Sequence, residues 1–343
     1  MIGCGAIAQE VHIPNYVQNP RSKLAAICDV DQKILDDIAV KYGVEHTFND
    51  YRQLFKSGLI EAASVCVPTH LHSEVVINAA KCGVHVLCEK PLAVNMDEAD
   101  EMLEAASRGG IKLMVGFNRR FLPNHVKARE YVRKGKIGKP ILARAQMILA
   151  GPYGDKVEPG LYAKEAEKRI GCLLDSASHL VDLLIWVFGK PCQVCAYTST
   201  YMDGISVDDL AVMSVKFQSG VLGTISVAWL NLPDYQAMDD SRRIEIIGTK
   251  GKIESDGLGP SLYFYGTDSL TSRLRGRIRI TPRFDPKNPS EALSWSYRQE
   301  IEDFLTSVTR NREPAVSGEQ AREGLRLILA AYESARTKSV ISI

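Results

Sequence analysis

Three side chains in the sequence combine the groups that acid–base chemistry requires. Lys90 lies between Glu89 and Pro91, at the end of an apolar run that predicts a strand, and a cis bond before the proline would aim the lysine inward. Asp175 and His179 are four residues apart in a helical pattern, so the carboxylate can hold one imidazole tautomer while the other nitrogen faces a substrate. Taken alone, the Glu89-Lys90-Pro91 tripeptide is also typical of a surface turn. The Asp175–His179 pair, taken alone, is also typical of a helix cap or of a contact in the core.

Together these groups match what the oxidation of an alcohol requires. Hydride leaves carbon only as the hydroxyl proton is withdrawn, so a base with a pKa near neutrality is needed, and His179 is such a base. Lys90 would stabilise the developing alkoxide or donate the proton in reverse, while Asp175 would orient the imidazole. Asp182, one helical turn further on, shares roughly the same face and is a candidate substrate contact. The hydride itself has to be accepted by a cofactor.

The first residues of the chain indicate which cofactor this is. They follow the pattern G-x-G-x-x-A, in which bare backbone meets a pyrophosphate at a helix N-terminus. Asp29 ends a second apolar run, at the distance from the glycines where a carboxylate accepts the ribose hydroxyls. Its charge would repel a 2′-phosphate, so NAD is favoured over NADP, although a helix N-cap is the other interpretation of Asp29. The predicted cofactor-binding backbone is that of Gly3, Gly5, Ala6 and Ile7.

The strand that leads into this loop is short. Only Met1 and Ile2 precede Gly3, whereas a strand usually has about five residues. We expect that the first strand is truncated because the start lies inside a longer reading frame. A damaged nucleotide site is the alternative explanation.

The elements that would position these residues alternate along the first third of the chain. Apolar runs predict strands at 24–29, 62–68, 85–89 and 112–117, and helical periodicity predicts helices at 32–42, 73–82 and 96–108. Asn95 as N-cap, Glu98 as its reciprocal partner and Gly109 as terminator mark the last of these helices. Such alternation predicts a doubly wound parallel sheet, with its ligand beyond the carboxyl ends of the strands.

After about residue 120 the pattern changes to that of an α+β domain. We predict helices at 123–134, 174–188, 295–310 and 317–338, and strands at 141–147, 211–217, 221–229 and 243–248. Short turns between the strands predict hairpins and an antiparallel sheet. We therefore expect a nucleotide-binding domain over residues 1–119 and a substrate-binding domain over residues 120–343.

Composition excludes several classes of protein. The 343 residues correspond to about two domains, and 42 Lys and Arg against 41 Asp and Glu give a net charge of +1, which argues against nucleic acid as a partner. No apolar run reaches the roughly 18 residues of a membrane span, which argues against a membrane partner. The eight cysteines are scattered through apolar stretches, as is typical of small core residues in the reducing cytoplasm.

Other candidate sites are weaker. His70 and His72 lack a third ligand of suitable spacing, so we predict no metal site. Cys192 and Cys195 form a C-x-x-C motif, but they lie in a β-rich run, where positions three apart face opposite sides. This argues against a redox or metal site at the two cysteines. Trp229 lies in an apolar stretch and is expected in the core. Alternating arginines predict a charged strand face, with a phosphate site for a nucleotide-sugar as the alternative; they are Arg273, Arg275, Arg277 and Arg279.

Five motifs, in this order, resemble the successive signatures of the Gfo/Idh/MocA oxidoreductases, a family that includes inositol and sugar dehydrogenases. The resemblance spans most of the chain, and five ordered motifs are more specific than any one of them. They are Gly3-Cys4-Gly5-Ala6-Ile7-Ala8, Val67-Pro68-Thr69-His70-Leu71-His72, Cys88-Glu89-Lys90-Pro91-Leu92-Ala93, Gly116-Phe117-Asn118-Arg119-Arg120-Phe121 and the run from Leu173 to Asp182.

The resemblance implies a Rossmann domain followed by a domain with a largely antiparallel, open-faced sheet that builds homodimers or homotetramers. It implies that Lys90 and His179 are the catalytic pair, together with Asp175, and that Arg119 reaches substrate or nicotinamide. Two departures, Arg169-Ile170 before Gly171 and Ala177 in place of a frequent glycine, are expected to reshape the substrate pocket. The residues implied to line the NAD site are Pro68, Thr69, His72, Glu89 and Asn118.

Three hypotheses about function follow. The first is an NAD-dependent dehydrogenase that acts on a secondary alcohol of a sugar, cyclitol or related polyol. The second is a glycosidase of the same fold that oxidises, eliminates and reduces back, with net hydrolysis. The third is a non-catalytic, NAD-responsive regulator, against which the presence of both Lys90 and His179 argues.

Overall fold

Two units share the chain, and each is built from two separate segments. In the computed structural model, residues 1–149, 170–229, 243–255, 262–266, 278–279 and 289–343 are described. The first unit comprises residues 1–118 and 294–325, and the second comprises residues 119–293 and 326–343. Among the described residues, no helix is both long and apolar enough to cross a membrane.

The first unit is built on a parallel sheet, which confirms the predicted doubly wound fold. Its strands are β1 (Ala26–Cys28), β2 (His46–Phe48), β3 (Ala62–Val65), β4 (His85–Cys88) and β5 (Leu113–Val115). β1 pairs with β2, and β4 pairs with both β3 and β5, all in parallel. Ile2 bridges Cys28 and Val65 in parallel and so joins the two groups of strands. Beside β5, the Val115 N–H donates to the Val316 carbonyl at 3.1 Å, so a segment from late in the chain covers this edge.

Helices alternate with these strands. They are α1 (Ile13–Gln18), which continues a π-helical turn over Ala8–His12, then α2 (Gln32–Tyr42), α3 (Tyr51–Lys56), α4 (His72–Lys81) and α5 (Met96–Gly109). α2 has the predicted bounds because the Asp31 carboxylate caps its first turn and Gly43 ends it at φ 67°. β2 and α3 have no counterpart among the predicted elements.

The ends of α5 confirm one prediction and correct another. The Asn95 side-chain oxygen accepts from the Glu98 N–H at 2.8 Å, and the Glu98 carboxylate accepts from Nδ2 of the Asn95 side chain at 2.9 Å. Gly109 does not terminate the helix; the left-handed residue is Gly110, at φ 63°. Gly109 is required for a different reason, since an added Cβ would lie 2.4 Å from the Ala80 carbonyl oxygen.

In the part of the chain that the structure describes, the second unit contains a nine-stranded sheet. Its strands are β6 (Pro140–Leu149), β7 (Pro191–Ser199), β8 (Leu210–Phe217), β9 (Leu222–Trp229), β10 (Arg243–Gly248), β11 (Gly251–Ser255), β12 (Leu262–Gly266), β13 (Ile278–Arg279) and β14 (Ile341–Ser342). The order is β13-β12-β11-β10-β6-β9-β8-β7-β14. Only the β6–β9 pair among these strands is parallel, so the expected largely antiparallel sheet is confirmed.

Alternation along the strands gives this sheet one buried and one open face. On β8, Ala211, Met213, Val215 and Phe217 are buried, whereas Val212 is 46% exposed. The remaining helices are α6 (Pro123–Arg133), α7 (Cys172–Asp175), α8 (Ala177–Phe188), α9 (Pro289–Thr309) and α10 (Gly318–Thr337).

Candidate active site

The first glycine of the loop is required by the protein itself. Gly3 adopts φ 80°, and its N–H donates to the Cys28 carbonyl at 2.9 Å. An added Cβ would lie 2.7 Å from the Cys66 carbonyl oxygen, closer than van der Waals contact allows. The loop therefore turns tightly between the ends of β1 and β3, and a side chain at this position would push it out of place.

The second glycine is not explained by any contact within the protein. An added Cβ on Gly5 would meet no atom within 4 Å, and Gly5 and Ala6 are both exposed. A helical segment begins immediately after Gly5, and the first N–H groups of a helix have no acceptor within it. Bare backbone at a helix N-terminus fits the diphosphate of a dinucleotide, so these residues suit NAD.

Asp29 follows β1 and is held by the loop. Its Oδ2 accepts from the Cys4 N–H at 2.7 Å, and its Oδ1 accepts from the Asp31 N–H at 2.9 Å. The residue that caps α2 is Asp31, so the interpretation of Asp29 as the N-cap is wrong. The half-buried carboxylate lies next to the glycine loop, which is the position that ribose recognition requires.

The loop after β3 carries three predicted cofactor contacts, and they differ in exposure. Pro68 is exposed and Thr69 is half-buried, whereas only 1% of His72 is exposed. The ring nitrogens of His72 face two carbonyl oxygens, that of Pro91 at 3.0 Å and that of Val67 at 2.9 Å. His72 therefore ties the loop after β3 to the loop after β4, and its contact with NAD stays a prediction.

Lys90 lies in the loop after β4. The Lys90–Pro91 bond is cis, as expected, and Lys90 is half-buried. The preceding Glu89 is 9% exposed, and its two carboxylate oxygens have partners inside the first unit. Oε1 lies 2.7 Å from His12 Nε2, and Oε2 accepts from the Lys90 N–H at 3.1 Å. Sequence reasoning missed His12, which has no motif of its own beyond its place after the glycine loop.

Asn118 and Arg119 belong to different units. Asn118 is 2% exposed, and its amide donates to the Ser296 hydroxyl at 3.0 Å within the first unit. Arg119 is 8% exposed, and its Nη2 lies 3.6 Å from Met147 Sδ in the second unit. Its carbonyl oxygen is 2.9 Å from His125 Nδ1, and burial lowers the pKa of His125 to about 4, so this neutral ring donates to the carbonyl.

Asp175 and His179 do not lie on one uninterrupted helix, which corrects the prediction. Asp175 ends α7, Ser176 forms a turn, and His179 lies in the first turn of α8. The Ser178 hydroxyl donates to the Asp175 carbonyl at 2.7 Å, which is a side-chain substitute for helical bonding at the break. Both residues are half-buried.

A short relay reaches the Asp175 carboxylate from β9. Trp229 Nε1–H donates to the Ser176 hydroxyl at 2.9 Å, and that hydroxyl donates to Asp175 Oδ2 at 3.3 Å. Trp229 is 3% exposed, so it lies in the core as expected, but its indole also orients a candidate catalytic carboxylate through Ser176. The sequence contains no signal for this contact, because the two residues that begin the relay are 53 positions apart.

Asp208 fixes the start of α7. Its carboxylate accepts from the Leu173 N–H at 2.8 Å and from the Tyr332 hydroxyl at 2.7 Å. An added Cβ on Gly171 would lie 1.8 Å from Asp208 Oδ1, so glycine is required where the carboxylate approaches the backbone. The helix that carries Asp175 is thus held at its first turn by a half-buried side chain from the loop before β8.

Asp182 is placed differently from the prediction of a substrate contact. It is 3% exposed, and its Oδ2 and Oδ1 accept from Arg120 Nε at 2.8 Å and Nη2 at 2.6 Å. Burial raises the pKa of Asp182, although the charge of Arg120 acts in the opposite direction. Both oxygens are thus committed to an internal ion pair.

Some of the other candidate residues lie outside the described residues. These are Arg169, Arg273, Arg275 and Arg277, and only the backbone of Arg279 is described, in β13. Among the described residues, no group of three or more His, Cys, Asp and Glu side chains is arranged to hold a metal ion.

Comparison with known proteins gives this site a context. The profile of an oxidoreductase family with an NAD-binding Rossmann fold matches residues 1–117, and that of the GFO/IDH/MocA C-terminal domain matches residues 125–254. The chain belongs to the Gfo/Idh/MocA oxidoreductases. The five motifs quoted above thus indicated the correct family, and the cofactor is NAD.

Similarity to relatives extends over the whole chain. The chain is 32% identical over 349 residues to a myo-inositol 2-dehydrogenase of Thermotoga maritima, covering 100% of this chain and 97% of the relative. An oxidoreductase domain protein from Kribbella flavida has a similar crystal structure, with TM-score 0.88, 27% identity and coverage of 100% and 97%. A probable dehydrogenase from Thermotoga maritima gives TM-score 0.81, 30% identity and coverage of 99% and 97%. This member of the family is therefore an NAD-dependent dehydrogenase.

Proposed function

We propose that the enzyme oxidises a secondary alcohol of a sugar, cyclitol or related polyol to the ketone. The observation that carries this proposal is the similarity over the whole chain to a myo-inositol 2-dehydrogenase. The open backbone at Gly5 and the carboxylate of Asp29 beside it support the part of the proposal that concerns the cofactor.

The residues act in the following roles. Asp175, oriented through Ser176, holds the His179 imidazole, and His179 takes the hydroxyl proton as the carbon loses hydride. Lys90 donates a hydrogen bond that stabilises the developing alkoxide in both directions. In the reverse direction the protonated His179 returns the proton. NAD, when bound, accepts the hydride. Arg119 is proposed to reach the substrate, whereas Asp182 is left out because Arg120 binds both of its oxygens in the interior. The residues proposed to line the cofactor site are Pro68, Thr69, His72, Glu89 and Asn118.

The test is a spectrophotometric screen for NADH formation with inositols, aldoses, sugar acids and nucleotide-sugars. Lys90→Ala and His179→Ala are expected to lower kcat by roughly 10²- to 10⁴-fold while sparing NAD affinity, because one removes stabilisation of the alkoxide and the other removes the base, and neither removes a cofactor contact. Unchanged turnover in both variants would remove the mechanism. Glycoside cleavage without net NADH would select the glycosidase, and NAD binding without any turnover would select the regulator.

We further propose that the enzyme acts in the cytoplasm as a homodimer or homotetramer, with neither nucleic acid nor membrane as a partner. Support for assembly comes from the open face of the nine-stranded sheet, where three apolar side chains on β7, β8 and β9 are exposed: Tyr197 at 72%, Val212 at 46% and Leu222 at 53%. Tyr197 and Val212 are cross-strand partners. Light scattering on the eluting peak of a sizing column measures the state, and a monomeric mass for the wild type would refute this proposal.

A further inference from the structure

Glu89 is a point at which three segments of the first unit meet. His12, at the end of the π-helical turn, approaches Oε1, and the Lys90 backbone donates to Oε2. Gly116, just after β5, leaves room for the carboxylate, since an added Cβ would lie 3.2 Å from its Cδ and Oε2. Both oxygens are therefore fixed, one of them by a residue 77 positions away in sequence.

The charges of this cluster are matched. The side chains of His12 and Glu89 are 0% and 11% exposed. Desolvation lowers the pKa of His12, but Cys66 and Glu89 outweigh it and raise the pKa to about 10. Burial raises the pKa of Glu89, but the hydrogen bond and charge of His12, followed by the charge of Lys90, outweigh it and leave the pKa below its ordinary value. Imidazolium and carboxylate thus form a buried pair with no net charge.

We propose that His12 and Glu89 are positioning residues for Lys90: the pair fixes the loop that carries the lysine, and its matched charges set the electrostatic environment of the ammonium group. The inference rests on the proposed function only in taking Lys90 as the acid–base lysine. Neither residue needs to touch the substrate for this role.

A direct consequence follows for the proton on Lys90. If His12 were neutral, the charge of Glu89 would be uncompensated and would stabilise the nearby ammonium, so that Lys90 would keep its proton to higher pH. If Glu89 were neutral as well, this effect would disappear. The other titratable groups around His12 are the Cys66 thiol, the Tyr16 ring, 6.5 Å away between centroids, and the Tyr297 ring, 6.3 Å away.

The experiment measures the titration of Lys90 without any substrate. Lysines of the full chain are dimethylated with ¹³C-formaldehyde, the Lys90 methyl signal is assigned by its loss in Lys90→Arg, and its midpoint is followed by NMR against pH. In His12→Gln the midpoint is expected to rise by about one pH unit, the lower end of the effect of an opposite charge at close range. In Glu89→Gln it should not rise, and in the double variant the rise should be abolished.

The matched control is Tyr16→Phe, which alters the packing beside His12 without altering any charge on the pair. Tyr16 donates or accepts one hydrogen bond, at 2.6 Å to the Ser64 hydroxyl, and its removal is expected to leave the Lys90 midpoint unchanged. The alkaline limb of the kcat profile should follow the NMR midpoint in each variant. A substitution that only disturbed the structure would lower kcat without shifting the pH of the alkaline limb.

An unchanged midpoint in His12→Gln, or a rise that persists in the double variant, would overturn the inference. If His12→Gln does not fold, the comparison of Glu89→Gln with wild type still tests the inference. A higher Lys90 midpoint in Glu89→Gln would contradict the proposed stabilisation of the ammonium by the Glu89 charge. Absence of turnover with every polyol would remove the proposed function but leave the titration result standing. If the enzyme is active but the Lys90 midpoint is the same in wild type and His12→Gln, the positioning role of His12 and Glu89 is refuted and the proposed function stands.

Discussion

Replacing Asp182 tests whether this carboxylate belongs to the substrate site or to the core. Arg120 and Asp182 are each 3% exposed and share two hydrogen bonds, at 2.8 and 2.6 Å. Asp182→Leu would remove the carboxylate that accepts two hydrogen bonds from this buried guanidinium. The guanidinium also lies 5.9 Å from the centroid of the Trp186 ring. We expect this variant to lose stability and to keep its KM for substrate.

The magnitude follows from the two opposing free energies of the pair. Unit charges about 4 Å apart attract by about 4 kcal/mol at an effective dielectric constant of 20, whereas removing each ion from water costs several kcal/mol. The raised pKa of Asp182 agrees with a desolvation cost that exceeds the attraction. The intact pair therefore adds little net stability, but removing one partner is expected to cost about 3–5 kcal/mol.

The assay is urea unfolding of wild type, Asp182→Leu, Arg120→Met and the double variant, followed by circular dichroism. Each single variant should unfold at a lower urea concentration, and the double variant should recover most of the loss because neither charge of this pair remains. Glu130→Gln is the control, since its ion pairs with Lys127 and Lys134 are at most partly buried and should contribute little to stability. A raised KM for Asp182→Leu at unchanged stability would refute the reasoning and would indicate that Asp182 contacts the substrate.

Three further outcomes are expected. Gly5→Ala should leave the unfolding midpoint unchanged but weaken NAD binding by about tenfold in calorimetry, whereas Gly3→Ala should lower the midpoint because its methyl meets the backbone; equal losses of stability would contradict this contrast. Asp29→Ala should narrow the ratio of NAD to NADP affinities, and an unchanged ratio would show that the ribose is held elsewhere. Ser176→Ala removes the donor to Asp175 and should lower kcat by about tenfold with little change in KM; a change confined to KM would argue against an orienting role.

The sequence predicts best those elements whose signals are local. The bounds of α2 and β10 agree with the prediction because caps, turns and apolar spacing all lie within the segments themselves. β2 was missed because its three residues, His46–Phe48, contain no buried side chain and therefore show no apolar run. Gly109 and Gly110 were confused because adjacent glycines give the same signal, and only the backbone angles separate them.

In the candidate site, too, the sequence indicates residues within one motif but not their contacts with distant residues. The motifs located Lys90, Asp175 and the glycine loop, since each motif lies in one stretch of chain. They assigned Glu89 to the cofactor, which stays a prediction, and Asp182 to the substrate. They gave no indication that His12 and Arg120 bind these two carboxylates inside the protein. The partners are 77 and 62 positions away, a separation at which neither periodicity nor spacing carries information.

The contact of β5 with Val316 has consequences for the folding of the chain during synthesis and for the design of fragments. During translation, the last parallel strand can pair with β4, but its outer edge stays unpaired until almost the whole polypeptide has left the ribosome. A gene fragment that stops near residue 119 would keep that strand permanently uncovered and would be prone to associate through it. A self-sufficient nucleotide-binding fragment would therefore have to be spliced from both ends of the gene.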